Sequence, residues 1–147
     1  MSTARIATLQ RMTAQTLSEK ILSEREAPTS TFAVVDVRDQ DYIGGHIRGS
    51  IHMPSQQLDD TMATLVSRLR DKKAVVFHCA LSQQRGPSAA LRYLRERDAA
   101  LQSLGERQAE ETPQSVYVLD RGFTGWQEKY GEDERLTEGY RKELWQD

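Results

Sequence analysis

Cys79 and Arg85 are the two residues of this sequence whose types and spacing most clearly suggest chemistry. An apolar run of strand length ends just before Cys79, and Pro87 favours the first turn of a helix after Arg85. Because consecutive backbone amides in a tight loop at a helix N-terminus bind anions, the segment predicts an oxyanion site formed by the amides of residues 80–85. The loop holds five residues and no bulky β-branched side chain: Ala80, Leu81, Ser82, Gln83 and Gln84.

The same loop favours an ionised sulfur, since helix N-termini and backbone amides stabilise the thiolate, which is the nucleophilic form of cysteine. Arg85 presents planar donors that can grip two oxygens of a tetrahedral group. These features predict phosphoryl transfer to the sulfur of Cys79, with Arg85 and the loop amides stabilising the charge. The alternative is that a lone cysteine at the end of an apolar strand is only a packed side chain. The loop that follows it favours the catalytic interpretation.

Residues on either side of the loop are expected to support it. We expect Asp36 and Arg38 to brace the site loops through hydrogen bonds. His78 is expected to be hydrogen-bonded beneath the loop, because strand alternation directs it away from the face of the cysteine. Ser82 and Ser88 either donate to the thiolate or cap the following helix.

Alternating apolar and amphipathic segments predict a parallel sheet with helices on both faces. Three buried strands are expected at residues 32–37, 74–78 and 116–119, with a short one at 51–53. Their carboxyl ends should converge on the site. A charged excursion is predicted at 105–114. Helices are expected after Thr13 or Thr16, at 55–70, beyond Arg85, at 123–130 and at 138–145.

Composition excludes several classes of protein. The chain has 147 residues and a formal net charge of −2, which removes the main electrostatic support for nucleic-acid binding. Its longest apolar stretches run to four residues, so no membrane span is expected. The start shows no signal-peptide core, which predicts an intracellular protein, cytoplasmic or nuclear. A single cysteine excludes an internal disulfide and a cysteine-rich zinc site, and no metal is expected.

Three separated motifs resemble the rhodanese-homology domain, and within it the phosphatase branch typified by the cell-division-cycle 25 dual-specificity phosphatases. The motifs are residues 35–38 with 45–51, residues 78–87, and Gly122-Phe123 with Trp126. The sequence is most similar to small single-domain members of fungi and plants, which include phosphatases and arsenate reductases. The resemblance implies an α/β fold: a rhodanese-like single domain over residues 1–147, with a central, mostly parallel five-stranded sheet and helices on both faces.

The resemblance also implies a reaction. Cys79 becomes the nucleophile that forms a phosphocysteine, and Arg85 clamps the equatorial oxygens. The five-residue loop fits a phosphate, whereas sulfurtransferases of this fold have a loop one residue shorter. The implied function is a cysteine-dependent phosphatase of the tyrosine or dual-specificity type, without a cofactor, acting on a phosphorylated protein or a small oxyanion. The alternatives are an arsenate reductase, a sulfurtransferase and a phosphate-binding module without turnover.

Two departures from the larger cell-cycle phosphatases matter. Ala80 and Gln84 stand where those relatives carry loop glutamates. Since the chain has one cysteine, arsenate reduction would need an external thiol, supplied by glutathione or a glutaredoxin. The general acid is unassigned, and its candidates are three aspartates on loops near the strand ends: Asp39, Asp41 and Asp120.

Overall fold

Runs of β-branched and aromatic side chains form the central strands of a parallel sheet. The computed structural model of the protein describes residues 9–104 and 114–145. The five strands of the sheet are β1 (Gln10–Met12), β2 (Phe32–Asp36), β4 (Ile51–His52), β5 (Ala74–His78) and β6 (Ser115–Leu119). They lie in the order β1-β6-β5-β2-β4, and every neighbouring pair is parallel. Two further strands, β3 (His46–Ile47) and β7 (Thr137–Glu138), form a separate antiparallel pair.

Helices cover both faces of the sheet because alternate strand residues point to opposite sides. One face, with Val35 and Phe77, packs against side chains of α2 and α3, whereas the other, with Val34 and Val76, packs against α1 and α4. The helices are α1 (Ala14–Ser23), α2 (Leu58–Arg68), α3 (Arg85–Leu104) and α4 (Gly122–Tyr130), with 3-10 helices at Ser55–Gln57 and Lys142–Leu144. The predicted fold class, a mostly parallel five-stranded sheet with helices on both faces, is confirmed.

The carboxyl ends of the central strands meet at one edge of the sheet, as the strand pattern predicts. Asp36, the last residue of β2, is in register with His78, the last residue of β5. Beyond these strand ends, the amide of Val37 donates to the carbonyl of His78 at 2.9 Å, and the amide of Phe123 donates to the carbonyl of Cys79 at 3.0 Å. The loops after β2, β5 and β6 are therefore joined to one another by backbone hydrogen bonds.

The terminal helix predicted at residues 138–145 is wrong. Thr137 and Glu138 pair with β3 instead, and Gly139 adopts a φ of +65°, which interrupts any helix there. Only the 3-10 helix at Lys142–Leu144 remains. Trp145 then folds back, donating from Nε1 to the carbonyl of Gly44 at 2.9 Å.

The charged excursion predicted at 105–114 lies outside the described residues except for Gln114. At that residue the prediction is wrong, because Gln114 is half-buried and donates from Nε2 to the carbonyls of Leu69 at 2.7 Å and Lys72 at 2.9 Å. Within residues 9–104 and 114–145, no helix is both long and apolar enough to cross a bilayer.

Candidate active site

Cys79 lies at the base of the loop that joins β5 to α3. Its side chain is buried, and its Sγ accepts a hydrogen bond from the amide of Gly86 at 3.3 Å. A Cβ at Gly86 would lie 3.2 Å from the Cα of His78, so a residue without a side chain allows the first turn of α3 to approach the thiol this closely. The sulfur of Cys79 therefore lies beside an amide donor and the N-terminus of a 20-residue helix.

Three carbonyls of the loop segment accept hydrogen bonds from outside the loop. The carbonyl of Cys79 accepts from the amide of Phe123 at 3.0 Å, and that of Ala80 from the amide of Thr124 at 2.8 Å. The carbonyl of Ser82 accepts from Nη2 of Arg11 at 2.9 Å. The first turn of α4 and the side chain of Arg11 thus fix the orientation of these peptide groups.

The loop amides, in contrast, have no partner in the part of the chain that the structure describes. In the described part of the chain, no acceptor takes a hydrogen bond from the backbone amides of residues 80–85. Ser82 adopts a left-handed conformation with a φ of +57°, and such a residue within a turn helps successive amides form an anion-binding concavity. Donors from outside the loop hold its carbonyls, and the loop amides have no partner among the described residues. Such an arrangement is the kind of site that binds a tetrahedral oxyanion.

Arg85 is the first residue of α3, and two carboxylates hold its guanidinium. Its Nη1 and Nη2 donate to the two carboxylate oxygens of Asp41 at 2.8 and 2.6 Å, and Nη1 also lies 3.3 Å from Oδ2 of Asp39. The hydrogen bonds from Arg85 lower the pKa of Asp41 to about 2. Burial opposes ionisation of Asp39, but hydrogen bonds from Ser55, Gln56 and Arg85 lower its pKa below the usual value. Both carboxylates are therefore ionised beside the arginine at neutral pH.

A buried ion pair lies beneath the loop. Asp36 and Arg38 are fully buried, and Nη2 of Arg38 donates to Oδ2 of Asp36 at 2.8 Å. The same Nη2 donates to the carbonyl of Gly45 at 2.8 Å, and the guanidinium carbon lies 4.3 Å from the ring centroid of Phe123. Burial alone would raise the pKa of Asp36, but the charge of Arg38 and its hydrogen bonds keep that pKa below its usual value. This pair links the loop after β2 to the first turn of α4.

His78 is completely buried at the end of β5. Its Nδ1 lies 3.1 Å from the carbonyl of Cys79, and its Nε2 lies 3.7 Å from Oδ2 of Asp36. Burial lowers the pKa of His78 despite the opposing effect of Asp36, so the ring is neutral at neutral pH. The structure thus places His78 among the groups that hold the loop from below.

Ser82 and Ser88 satisfy neither of the roles predicted for them. Helix α3 already begins at Arg85, so neither serine occupies the capping position, and Ser88 is exposed. Among the described residues, no hydrogen bond joins either hydroxyl to Cys79, and the buried Oγ of Ser82 has no partner.

The structure separates the three aspartates that the sequence offers as candidates for the general acid. Asp39 and Asp41 contact Arg85, whereas Asp120 accepts from Nε of Arg11 at 3.0 Å in an exposed pair. Arg11 was not predicted as a site residue. It lies in β1, a three-residue strand with one buried residue, so no periodicity in the sequence indicates it.

Comparison with known proteins places the chain in a class. The family model described as the rhodanese-like domain matches residues 13–129, and the chain belongs to that family. It is 43% identical over 124 residues to the CDC25-like phosphatase YCH1 of Saccharomyces cerevisiae, covering 78% of each protein. Over 96 residues it is 41% identical to arsenate reductase 2.2 of Oryza sativa subsp. japonica, covering 65% of this chain and 68% of that one.

Solved structures agree with these relatives. The structure of Ygr203w, described as a yeast protein tyrosine phosphatase of the rhodanese family, aligns with a TM-score of 0.77 and 36% identity. The alignment covers 95% of this chain and 99% of that one. The As-Sb reductase of Leishmania major aligns with a TM-score of 0.64 and 29% identity, covering 86% and 82%. The family resemblance predicted from the three motifs is confirmed.

The described residues form no metal site. In residues 9–104 and 114–145, no group of three or more histidine, cysteine, aspartate or glutamate side chains is arranged to hold a metal ion.

Proposed function

We propose that the protein is a cysteine-dependent phosphatase of the tyrosine or dual-specificity type, which hydrolyses phosphate monoesters at the loop of residues 79–85. The observation that carries the proposal is the arrangement of the peptide groups in that loop. Three carbonyls are held by donors outside the loop, while the amides of residues 80–85 have no partner among the described residues and lie beside a buried sulfur. Relatives named as phosphatases support the same reading.

The proposed reaction has two displacement steps. The thiolate of Cys79 attacks phosphorus, so a P–S bond forms while the bond from phosphorus to the ester oxygen breaks. The leaving oxygen takes a proton from a general acid or from water. Water then attacks the phosphocysteine, the P–S bond breaks, and inorganic phosphate and the Cys79 thiolate are released. The loop amides and Arg85 stabilise the charge on the transferring group in both steps.

Aryl phosphates should be the best substrates. A phenol has a pKa near 10 and leaves with less protonation than an alkyl alcohol, which suits a loop without glutamate at Ala80 and Gln84. The matching protein substrate class is phosphotyrosine.

Arsenate reduction is a second candidate, supported by a relative named as an arsenate reductase. Cys79 would attack arsenate and displace water, forming an arsenic–sulfur bond. A glutathione thiolate would then attack the Cys79 sulfur, so an S–S bond forms while the arsenic–sulfur bond breaks. The electron pair of that bond stays on arsenic, which leaves as arsenite, arsenic(III), and Cys79 is left in a mixed disulfide with glutathione. A second thiol, from glutathione or a glutaredoxin, would release Cys79.

The test compares wild type with Cys79→Ser, and uses Ser23→Ala as a matched surface control. Hydrolysis of p-nitrophenyl phosphate, reduction of arsenate with glutathione, and thiocyanate formation from thiosulfate and cyanide are measured side by side. We expect hydrolysis by wild type and by the control, with a loss of about 10³-fold or more in Cys79→Ser. Hydrolysis that survives in Cys79→Ser would contradict the mechanism, and turnover of arsenate alone would make the protein a reductase.

A further inference from the structure

The guanidinium of Arg85 uses only part of its hydrogen-bonding capacity. It has five N–H donors, and three of them are directed at carboxylate oxygens: two from Nη1, to Asp41 and Asp39, and one from Nη2, to Asp41. Among the described residues, Nε and the second N–H of Nη2 have no acceptor. These two donors lie along one edge of the planar group.

That remaining edge is itself a two-pronged fork. A guanidinium can bind one oxyanion end-on, through Nη1 and Nη2, and a second along its side, through Nε and Nη2. Asp41 occupies the end-on position. A phosphate bound along the side edge would therefore leave the contacts between Arg85 and Asp41 intact.

We propose that Asp41, together with Asp39, is a positioning residue that fixes Arg85 so that its Nε and Nη2 edge is presented to the oxyanion in the loop. This inference rests on the proposed function only in taking the loop as the oxyanion site. A long arginine side chain loses rotamer entropy when it is ordered. Two carboxylates that order it before the substrate arrives remove that cost from binding and from the transition state.

The carboxylates are themselves held in place. Asp39 accepts from Oγ of Ser55 at 2.5 Å and from the amide of Gln56 at 3.0 Å, both at the start of the 3-10 helix that precedes α2. The amide of Asp39 donates to Oδ1 of Asp41 at 2.9 Å. The loop after β2 thus forms a preorganised seat for the guanidinium.

The guanidinium also lies near the nucleophile. The hydrogen bonds to Asp41 are the main cause that raises the pKa of Arg85, and the charge of the Cys79 sulfur contributes in the same direction. Arg85 is therefore within electrostatic reach of both the loop and the two aspartates.

The opposite reading is that the aspartates compete with substrate. In that case Arg85 would have to leave Asp41 before it could bind phosphate, and removing the carboxylate would tighten binding. The pair is about one-third to two-fifths exposed, so Coulomb energy alone does not decide between the two readings. Two donors of Arg85 that have no acceptor among the described residues favour positioning, because phosphate can use them while Asp41 stays bound.

The experiment measures tungstate binding by calorimetry and kcat/KM for p-nitrophenyl phosphate in Asp41→Asn, Arg85→Ala and the double variant. The matched control is Asp133→Asn, which removes a bidentate aspartate–arginine pair with Arg135, a residue outside the site. Thermal unfolding checks that each variant folds.

We expect Asp41→Asn to weaken tungstate binding about fivefold and to lower kcat/KM about tenfold. When Arg85 is already alanine, adding Asp41→Asn should change either quantity less than about twofold relative to Arg85→Ala alone. Asp133→Asn should match wild type in both measurements. Tighter tungstate binding by Asp41→Asn would overturn the proposal, and so would an equal loss in the Arg85→Ala background. Wild type that binds no tungstate would also overturn it. Wild type that binds tungstate but hydrolyses nothing would refute the proposed function and leave the binding results to decide the role of Asp41.

Discussion

Gly122 offers the sharpest test of how the loop is held. It has a φ of +57°, and a Cβ built on it would lie 2.5 Å from the carbonyl oxygens of both Cys79 and Ala80. These are the carbonyls that accept from the amides of Phe123 and Thr124. Alanine at this position must therefore displace the peptide groups that orient the loop.

The cost has two parts. An L-residue in the left-handed region costs about 1–2 kcal/mol. Displacing packed atoms costs about 1–3 kcal/mol more, so the total for Gly122→Ala is about 2–5 kcal/mol. Gly139→Ala isolates the first part, because Gly139 has a φ of +65° but a Cβ there would meet nothing within 4 Å.

The assay is thermal unfolding followed by circular dichroism, together with kcat/KM for p-nitrophenyl phosphate. With about 4 °C lost per kcal/mol for a domain of this size, Gly122→Ala should unfold about 8–20 °C below wild type and Gly139→Ala about 4–8 °C below it. Gly122→Ala should also lose activity, while Gly139→Ala should keep it. Equal unfolding temperatures and equal activities for the two variants would refute the reasoning.

Two further predictions concern Arg11 and His78. Arg11→Met should lower kcat/KM about three- to tenfold, because the carbonyl of Ser82 loses its donor. The control Arg92→Met, which removes another exposed ion pair, should change kcat/KM less than about twofold. Equal kcat/KM values for the two variants would contradict this role of Arg11. Burial lowers the pKa of His78 below 6.5, so the unfolded chain binds a proton at this residue more readily than the folded chain does. The free energy of unfolding that comes from burying the neutral ring is therefore complete above pH 6.5 and is lost as the pH falls below it. Urea unfolding at pH 7.5 and 5.5 should show this loss in wild type and a smaller one in His78→Asn; the same loss in both would count against it.

The central strands and the reactive loop could be predicted because their signals are local. β5 is a run of apolar residues with the boundaries expected from the sequence, and the five residues between Cys79 and Arg85 are counted directly. Secondary structure at the edges could not be predicted in this way. β1 has one buried residue, and β3 and β7 have two residues each, so these strands are too short to show a hydrophobic pattern. They are defined by pairing with partners that are distant in the sequence.

The contacts that complete the site are long-range in sequence. Arg11 reaches the carbonyl of Ser82 across 71 positions, and Arg85 meets Asp41 across 44. The sequence shows the residue types, but it offers Asp41 as a candidate general acid and not as a partner of Arg85. Which charged side chain meets which is decided by the convergence of strand ends in the folded sheet, and a list of motifs does not contain that information.

The most direct test of the central claim is to trap the covalent intermediate. Wild type is mixed with p-nitrophenyl phosphate, quenched in acid within milliseconds, digested and analysed by mass spectrometry. We expect the peptide that contains Cys79 to carry the added mass of one phosphoryl group, and the same peptide from Cys79→Ser to carry none. Rapid hydrolysis with an unmodified Cys79 peptide, or with the phosphoryl group on another residue, would contradict the account.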